Sequence, residues 1–289
     1  MFSRILLAVD GSECAHRAAN FGVELAAAYD ADVEALFVVG GKSTSPPGVD
    51  SGVSPRERGE RVLDEVASTG ADAGVDVDTR LDEGRPPAVI VDRAEETDAD
   101  LVVMGQQGHT GLGKRLLGSV LMRVLRQTDV PVLAVPAGAT DDVPEFGDVL
   151  VPTGGSDTSK QAAPYGADVA RRFGVPLHLL RVLDVRKEAG IFDAGGVSET
   201  YVDRLTDRAR EDLDDLADAM GDLDDVDVVR DVVRGRAHVG IREYVEAEDV
   251  GLVVMATRDE TSFTGQALGS VTDRVLRVLS VPVLVVPVA

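Results

Sequence analysis

Gly105-Gln106-Gln107-Gly108 is followed by nine residues and then by Gly118-Ser119. Glycines at this spacing suit an anion. They let the backbone approach closely and adopt positive φ. A helix that starts at Gly118 would offer the N–H groups of Gly118, Ser119 and Val120 at its positive end, where phosphate oxygens are favoured. The Ser119 hydroxyl could add a further hydrogen bond. The plainer reading of the same residues is a Gly-rich turn with Ser119 as a helix cap, and spacing alone does not separate the two. Asp10, at the end of an apolar run, is the other polar residue placed to touch a ligand. A turn role suits it better than that of a general base.

Other candidate chemistry is weaker. Gly108-x4-Gly113-Lys114 imitates a P-loop, but Arg115 stands where a Ser or Thr would hold Mg²⁺, so the P-loop assignment is rejected. Lys114 and Arg115 could still neutralise phosphate, or simply be surface residues. His16, His109, His178 and His238 share no metal spacing, and His109 is read as exposed. Cys14 falls in the first turn of a helix, where a thiolate can be favoured; a buried inert thiol is the better reading. No Ser/His/Asp arrangement is defensible. Arg208–Leu216 is most simply a charged, solvated helix face.

The elements that must position these residues alternate. Residues 4–9 read as a buried strand ending at Asp10-Gly11-Ser12, with Ser12 capping a helix whose apolar stripe includes Ala15, Ala18, Ala19, Val23 and Leu25. Residues 33–39 read as a second strand and 40–54 as a mobile loop. A helix follows over about Pro55–Thr69, a strand near Val75–Leu81, and a helix opened by Pro86-Pro87. Leu101–Met104 reads as the fourth strand, Gly118–Gln127 as a helix and Val130–Val135 as the fifth strand. Strand–helix alternation with strands apolar throughout predicts a doubly wound parallel sheet covered on both faces, with ligands beyond the strand carboxyl ends.

The pattern occurs twice. Ile5–Ser12 aligns with Val149–Ser156 at an offset of 144 residues; farther on the offset is 151, where Leu101–Met104 matches Leu252–Met255 and Leu117–Val120 matches Leu268–Val271. A repeat this long is a duplicated domain. The predicted domains are 1–138 and 148–289, joined by a linker at 139–147. The second copy departs at decisive points: Gly154 replaces Asp10, Ala256 replaces Gly105 and Asp259 replaces Gly108, with Glu260 following. A second site is therefore expected to be empty or far weaker; the alternative is that Asp259 points away and a looser nucleotide or a phosphate-free ligand binds.

The charge of −22, with 51 acidic and 29 basic residues and only four lysines, argues against nucleic acid and anionic membranes as partners. It fits a protein kept soluble in high salt, a halophilic source. Cys14 is the only cysteine, no signal-peptide layout opens the chain, and no apolar run approaches the about 20 residues of a membrane span. A soluble cytoplasmic protein is expected.

Val9-Asp10-Gly11-Ser12, Leu101–Gly105, the G-x2-G-x9-G-S loop and Val130-Pro131-Val132-Leu133-Ala134-Val135-Pro136 together resemble the universal stress protein family, over both halves of the chain. The resemblance implies two tandem five-stranded parallel sheets of order 3-2-1-4-5, flavodoxin- or Rossmann-like, with the loop pattern of the ATP-binding branch. It implies that Ala8, Val9, Asp10 and Val38 surround adenine and ribose, and that Met104 and Gly105 flank ribose and phosphates. Gly108, Gly118, Ser119 and Val120 would hold the phosphates of ATP or another adenine nucleotide, together with a divalent ion such as Mg²⁺. It also implies that the edge strands Val130–Val135 and Val281–Val286 pair with each other as an intramolecular pseudo-dimer, leaving a further homodimer open. The expected function is nucleotide binding in a stress response, with no residue evident as a catalytic base. A slow ATPase and a nucleotide-free interaction scaffold are the alternatives.

Overall fold

The computed structural model describes residues 1–40, 54–108, 117–138, 147–185, 199–257 and 268–288. The readings that fall on the 40–54 loop, on His109, Gly113, Lys114 and Arg115, on most of the 139–147 linker, and on Asp259 and Glu260 lie largely or wholly outside these residues. The chain divides into two compact units, one of Met1–Pro144 with Ser280–Pro287, the other of Glu145–Leu279.

Unit one runs β1 (Arg4–Val9), α1 (Glu13–Tyr29), β2 (Asp32–Gly40), α2 (Pro55–Asp72), β3 (Val77–Gly84), α3 (Pro86–Glu96), β4 (Leu101–Gly105), α4 (Ser119–Gln127) and β5 (Val132–Val135). β1 and β4 are buried along almost their whole length because helices cover both faces of the sheet. Gly11, at φ +79°, turns the chain out of β1. The Ser12 hydroxyl then accepts from the Ala15 N–H and starts α1, while Asp30 in the left-handed region ends it. A reciprocal Ser54–Glu57 capping box with Pro55 behind it starts α2.

The parallel strands of unit one lie in the order β3-β2-β1-β4-β5. On β5 a sixth strand, β10 (Val283–Val286), is laid antiparallel, with Val283 opposite Ala134 and Val285 opposite Val132. Two five-stranded parallel sheets of order 3-2-1-4-5 with these edge strands paired were expected; the order within unit one is as expected, and the strand order differs in that the antiparallel β10 continues the same sheet. The last strand of the second repeat is counted in unit one and covers the apolar β5 edge, whose ladder groups would otherwise lack partners.

Unit two runs β6 (Asp148–Thr153), α5 (Asp157–Phe173), β7 (Leu177–Leu183), α6 (Glu199–Asp218), β8 (Val228–Arg234), α7 (Ala237–Ala247), β9 (Val250–Ala256) and α8 (Ser270–Val278). Its strands are parallel in the order β9-β6-β7-β8, the same winding as β4-β1-β2-β3. Gly155, at φ +78°, repeats the turn of Gly11. Among the described residues no helix is long and apolar enough to cross a membrane.

Candidate functional site

In unit one the strand order reverses between β1 and β4, which pair in parallel with Ala8 opposite Met104. This is the topological switch point, and the strand carboxyl ends open there. Ala8 and Val9 end β1, Met104 and Gly105 end β4, and Val38 lies on β2 one residue past Phe37, the partner of Val9. The sequence-predicted residues therefore share one end of the sheet, with α4 beginning beside them.

Two loops meet at that end. The Asp10 carboxylate accepts the Ser12 N–H through Oδ1 at 2.9 Å. Its Oδ2 lies 2.5 Å from where a Cβ on Gly108 would stand. The Ser12 hydroxyl donates to the Gln107 carbonyl at 3.3 Å. Gly105 presses on α1: an added Cβ would come within 2.9 Å of the Ala15 nitrogen and of the Cys14 carbonyl carbon. The glycines at 105 and 108 are thus required by backbone and carboxylate approaching closely, as their spacing suggests.

The start of α4 is fixed by a short latch. The Gly118 N–H donates to the Gln106 carbonyl at 2.7 Å, and the Gln106 N–H donates to Val135 O at 2.8 Å. The expectation of three N–H groups open to a ligand is corrected here in one detail, because the Gly118 N–H is already engaged. Gly118 instead caps the helix with extended backbone, and its carbonyl accepts from Met122. The first-turn N–H groups of Ser119 and Val120 remain without intrahelical partners. The Gln106 side-chain nitrogen is buried with no hydrogen bond among the described residues.

Cys14 is buried and its thiol donates to Val135 O at 3.0 Å. Burial pushes the thiol up from its ordinary value, against weaker lowering by backbone groups of Gln107 and Gln106. Near neutral pH it is an inert thiol, in agreement with the sequence reading. No group of three His, Cys, Asp or Glu fit to hold a metal occurs among the described residues.

Unit two rebuilds the scaffold with different walls. Gly269 repeats the latch, donating to Thr257 O at 2.6 Å. At the Asp10 position stands Gly154, where an added Cβ would meet no heavy atom of the described residues within 4 Å. A cavity of about 100 Å³ lies at the equivalent strand ends, between Thr153, Val182, Ile241, Met255 and Val271.

Sequence reasoning missed a buried polar chain in unit two. His178, 4 % exposed, contacts Asp148 Oδ2 through Nε2 and the Tyr244 hydroxyl through Nδ1, both at 2.8 Å. The Tyr244 hydroxyl donates to Asp231 Oδ2 at 2.6 Å. At the corresponding repeat positions unit one has an ion pair instead: Arg93 forks onto Glu34, with Nε to Oε1 at 2.7 Å and a terminal nitrogen on Oε2 at 2.5 Å. Comparison of the repeats at offsets 144 and 151 is the signal that could have exposed both.

The Universal stress protein family matches the chain twice, over residues 1–136 and 145–287. The chain belongs to the universal stress protein family. Among relatives of this universal stress protein is one from Methanocaldococcus jannaschii, 37 % identical over 143 residues, 47 % of this chain and 82 % of that one. A crystal structure of a universal stress protein from Archaeoglobus fulgidus DSM 4304 is similar along 98 % of both chains, with a TM-score of 0.71 and 25 % identity. A universal stress protein solved in complex with cAMP is 28 % identical over 47 % of this chain and 98 % of its own, with a TM-score of 0.38.

Proposed function

We propose that unit one binds an adenine nucleotide, with ATP and an accompanying divalent ion as the leading candidate, in a cytoplasmic stress response. The observation that carries this reading is the convergence at the β1/β4 switch point. Asp10, the close-packed Gly105 and Gly108, and the first-turn N–H groups of Ser119 and Val120, which have no intrahelical partner, meet there. Asp10 is placed for a ribose hydroxyl; Ala8, Val38 and Met104 supply apolar surface for a base. Gly118 serves by holding α4 in place through its bond to Gln106. The charge of −22 with only four lysines supports a protein that works in concentrated salt.

The test is thermal unfolding in high salt with and without Mg-ATP, for wild type and for Ser119→Asp. An acidic residue at the first helical position favours the helix itself, so the variant keeps its fold while repelling phosphate. Nucleotide at 100 times its dissociation constant adds about 2.7 kcal/mol. For a unit of this size that raises the midpoint by about 5–11 °C. Loss of the rise in Ser119→Asp supports the reading. A wild-type midpoint that does not respond to millimolar Mg-ATP overturns it.

A further inference from the structure

We infer that the cavity of unit two is a binding site for an uncharged, mainly apolar single-ring molecule, and not a second phosphate site. Its hydroxyl groups already satisfy one another. The Ser159 hydroxyl donates to Ser156 O at 2.7 Å, so in its 2.8 Å contact with Thr153 the Thr153 hydroxyl is the donor. Thr153 in turn accepts the Gly155 N–H at 3.0 Å. The Thr272 hydroxyl donates to Ala256 O at 3.0 Å, and the Gly269 N–H is held by Thr257 O.

The one cation on the wall among the described residues is also compensated. Arg181 stands at the repeat position of Phe37, and its Nε donates to Asp212 Oδ2 at 3.0 Å while a terminal nitrogen reaches Val182 O at 3.0 Å. Both side chains are largely covered, at 14 % and 18 % exposure, so the pair is poorly screened. Asp212 presses against Gly155, with carboxylate oxygens 2.5 and 2.7 Å from where a Cβ would stand. An arriving phosphate would meet that carboxylate and find Arg181 already engaged.

What the wall does offer is apolar surface, from Pro152, Val182, Ile241, Met255, Ala256 and Val271. An apolar cavity of about 150 Å³ takes up benzene or xenon. The volume here, about 100 Å³ and open to solvent on one side, suits one ring. This site is independent of the nucleotide reading for unit one.

The test uses the full chain and fluorobenzene, followed by ¹⁹F NMR line broadening. Gly154→Phe puts a ring at a lining position where an added Cβ meets no atom of the described residues within 4 Å, and far-UV circular dichroism checks that the fold is retained. Saturable binding to wild type, unchanged by millimolar Mg-ATP and weakened about tenfold or more in Gly154→Phe, is the expected result. The inference is overturned by absence of saturable binding, by equal binding to Gly154→Phe, or by displacement with ATP in the Ser119→Asp chain. The last outcome would make the unit-two cavity a nucleotide site.

Discussion

Tyr244→Phe isolates the buried polar chain of unit two. The hydroxyl has one proton, and it goes to Asp231 at 2.6 Å. His178 Nδ1, 2.8 Å from the same oxygen, must therefore be a donor to it. The substitution removes only the oxygen, and it leaves the Nδ1–H of a 4 % exposed histidine without an acceptor. A buried donor without a partner costs about 1–3 kcal/mol. The Asp231 carboxylate, at the partly exposed end of the chain, also loses a donor, so a total near 2–3 kcal/mol is expected. Burial, followed by the Asp231 carboxylate, pushes the Tyr244 hydroxyl well above the usual phenol range. A raised value favours the protonated form in the folded state. That contribution is complete below the unfolded value of about 10 and declines as pH rises above it. Urea unfolding followed by far-UV circular dichroism, with hydrogen exchange at the β7 amides to localise the loss, measures the effect. Wild type should also weaken more steeply than the variant above pH 10. A loss below about 0.5 kcal/mol, or exchange at β7 unchanged, would refute this account of the network.

Three further outcomes are expected. Gly108→Ala should weaken Mg-ATP binding by calorimetry about tenfold, because its Cβ would stand 2.5 Å from Asp10 Oδ2 and push the carboxylate off the Ser12 N–H; unchanged affinity removes Asp10 and Gly108 from the site. Burial works against ionised Asp100, yet hydrogen bonds from Ser3 and the Arg4 N–H outweigh it and hold the carboxyl below its ordinary value. Its contribution is therefore present above about pH 4 and is lost as pH falls through the lower folded value, so Asp100→Asn should flatten the acid limb of the stability curve. Cys14 should resist a thiol reagent in the native protein at pH 8 and react at once in urea, since it is buried and bonded to Val135 O; rapid native labelling would contradict that placement.

Local pattern carried most of the fold. The apolar runs at 4–9 and 101–104 are β1 and β4, and the Ser12 and Gly118 starts mark α1 and α4. Where boundaries moved, a neighbouring bond moved them. The run at Val130 does not begin β5 until Val132, because the Val130 N–H turns back onto the Thr128 hydroxyl at 3.0 Å and Pro131 has no N–H. The strand read from Val75 begins at Val77, because the Val75 N–H still closes onto Gly70 O at 2.8 Å. In the site, glycine spacing located the close approaches, but not the bond between Ser12 and Gln107, 95 residues apart, nor the Gly118 latch. The His178 chain joins residues 30 and 66 positions apart, beyond any window of periodicity. The β5–β10 pair was legible because both repeats end in an apolar edge strand that needs a partner.

The differing networks at matched repeat positions bear on how a duplicated chain sorts its own strands. Two domains with the same winding on one polypeptide can assemble from mixed halves, and such misassembly is the usual failure of tandem repeats. Here β2 carries Glu34 for Arg93, while β7 carries His178 for Asp148 and Tyr244. A β2 seated in place of β7 would set the Glu34 carboxylate beside those of Asp148 and Asp231. A β7 seated in place of β2 would leave the Arg93 guanidinium, 20 % exposed, with only the exposed Glu96 as a carboxylate partner and a ring in place of Glu34. Each wrong assembly sets charges less well matched than the right one, so the two polar clusters work as address labels for the strands of the two halves.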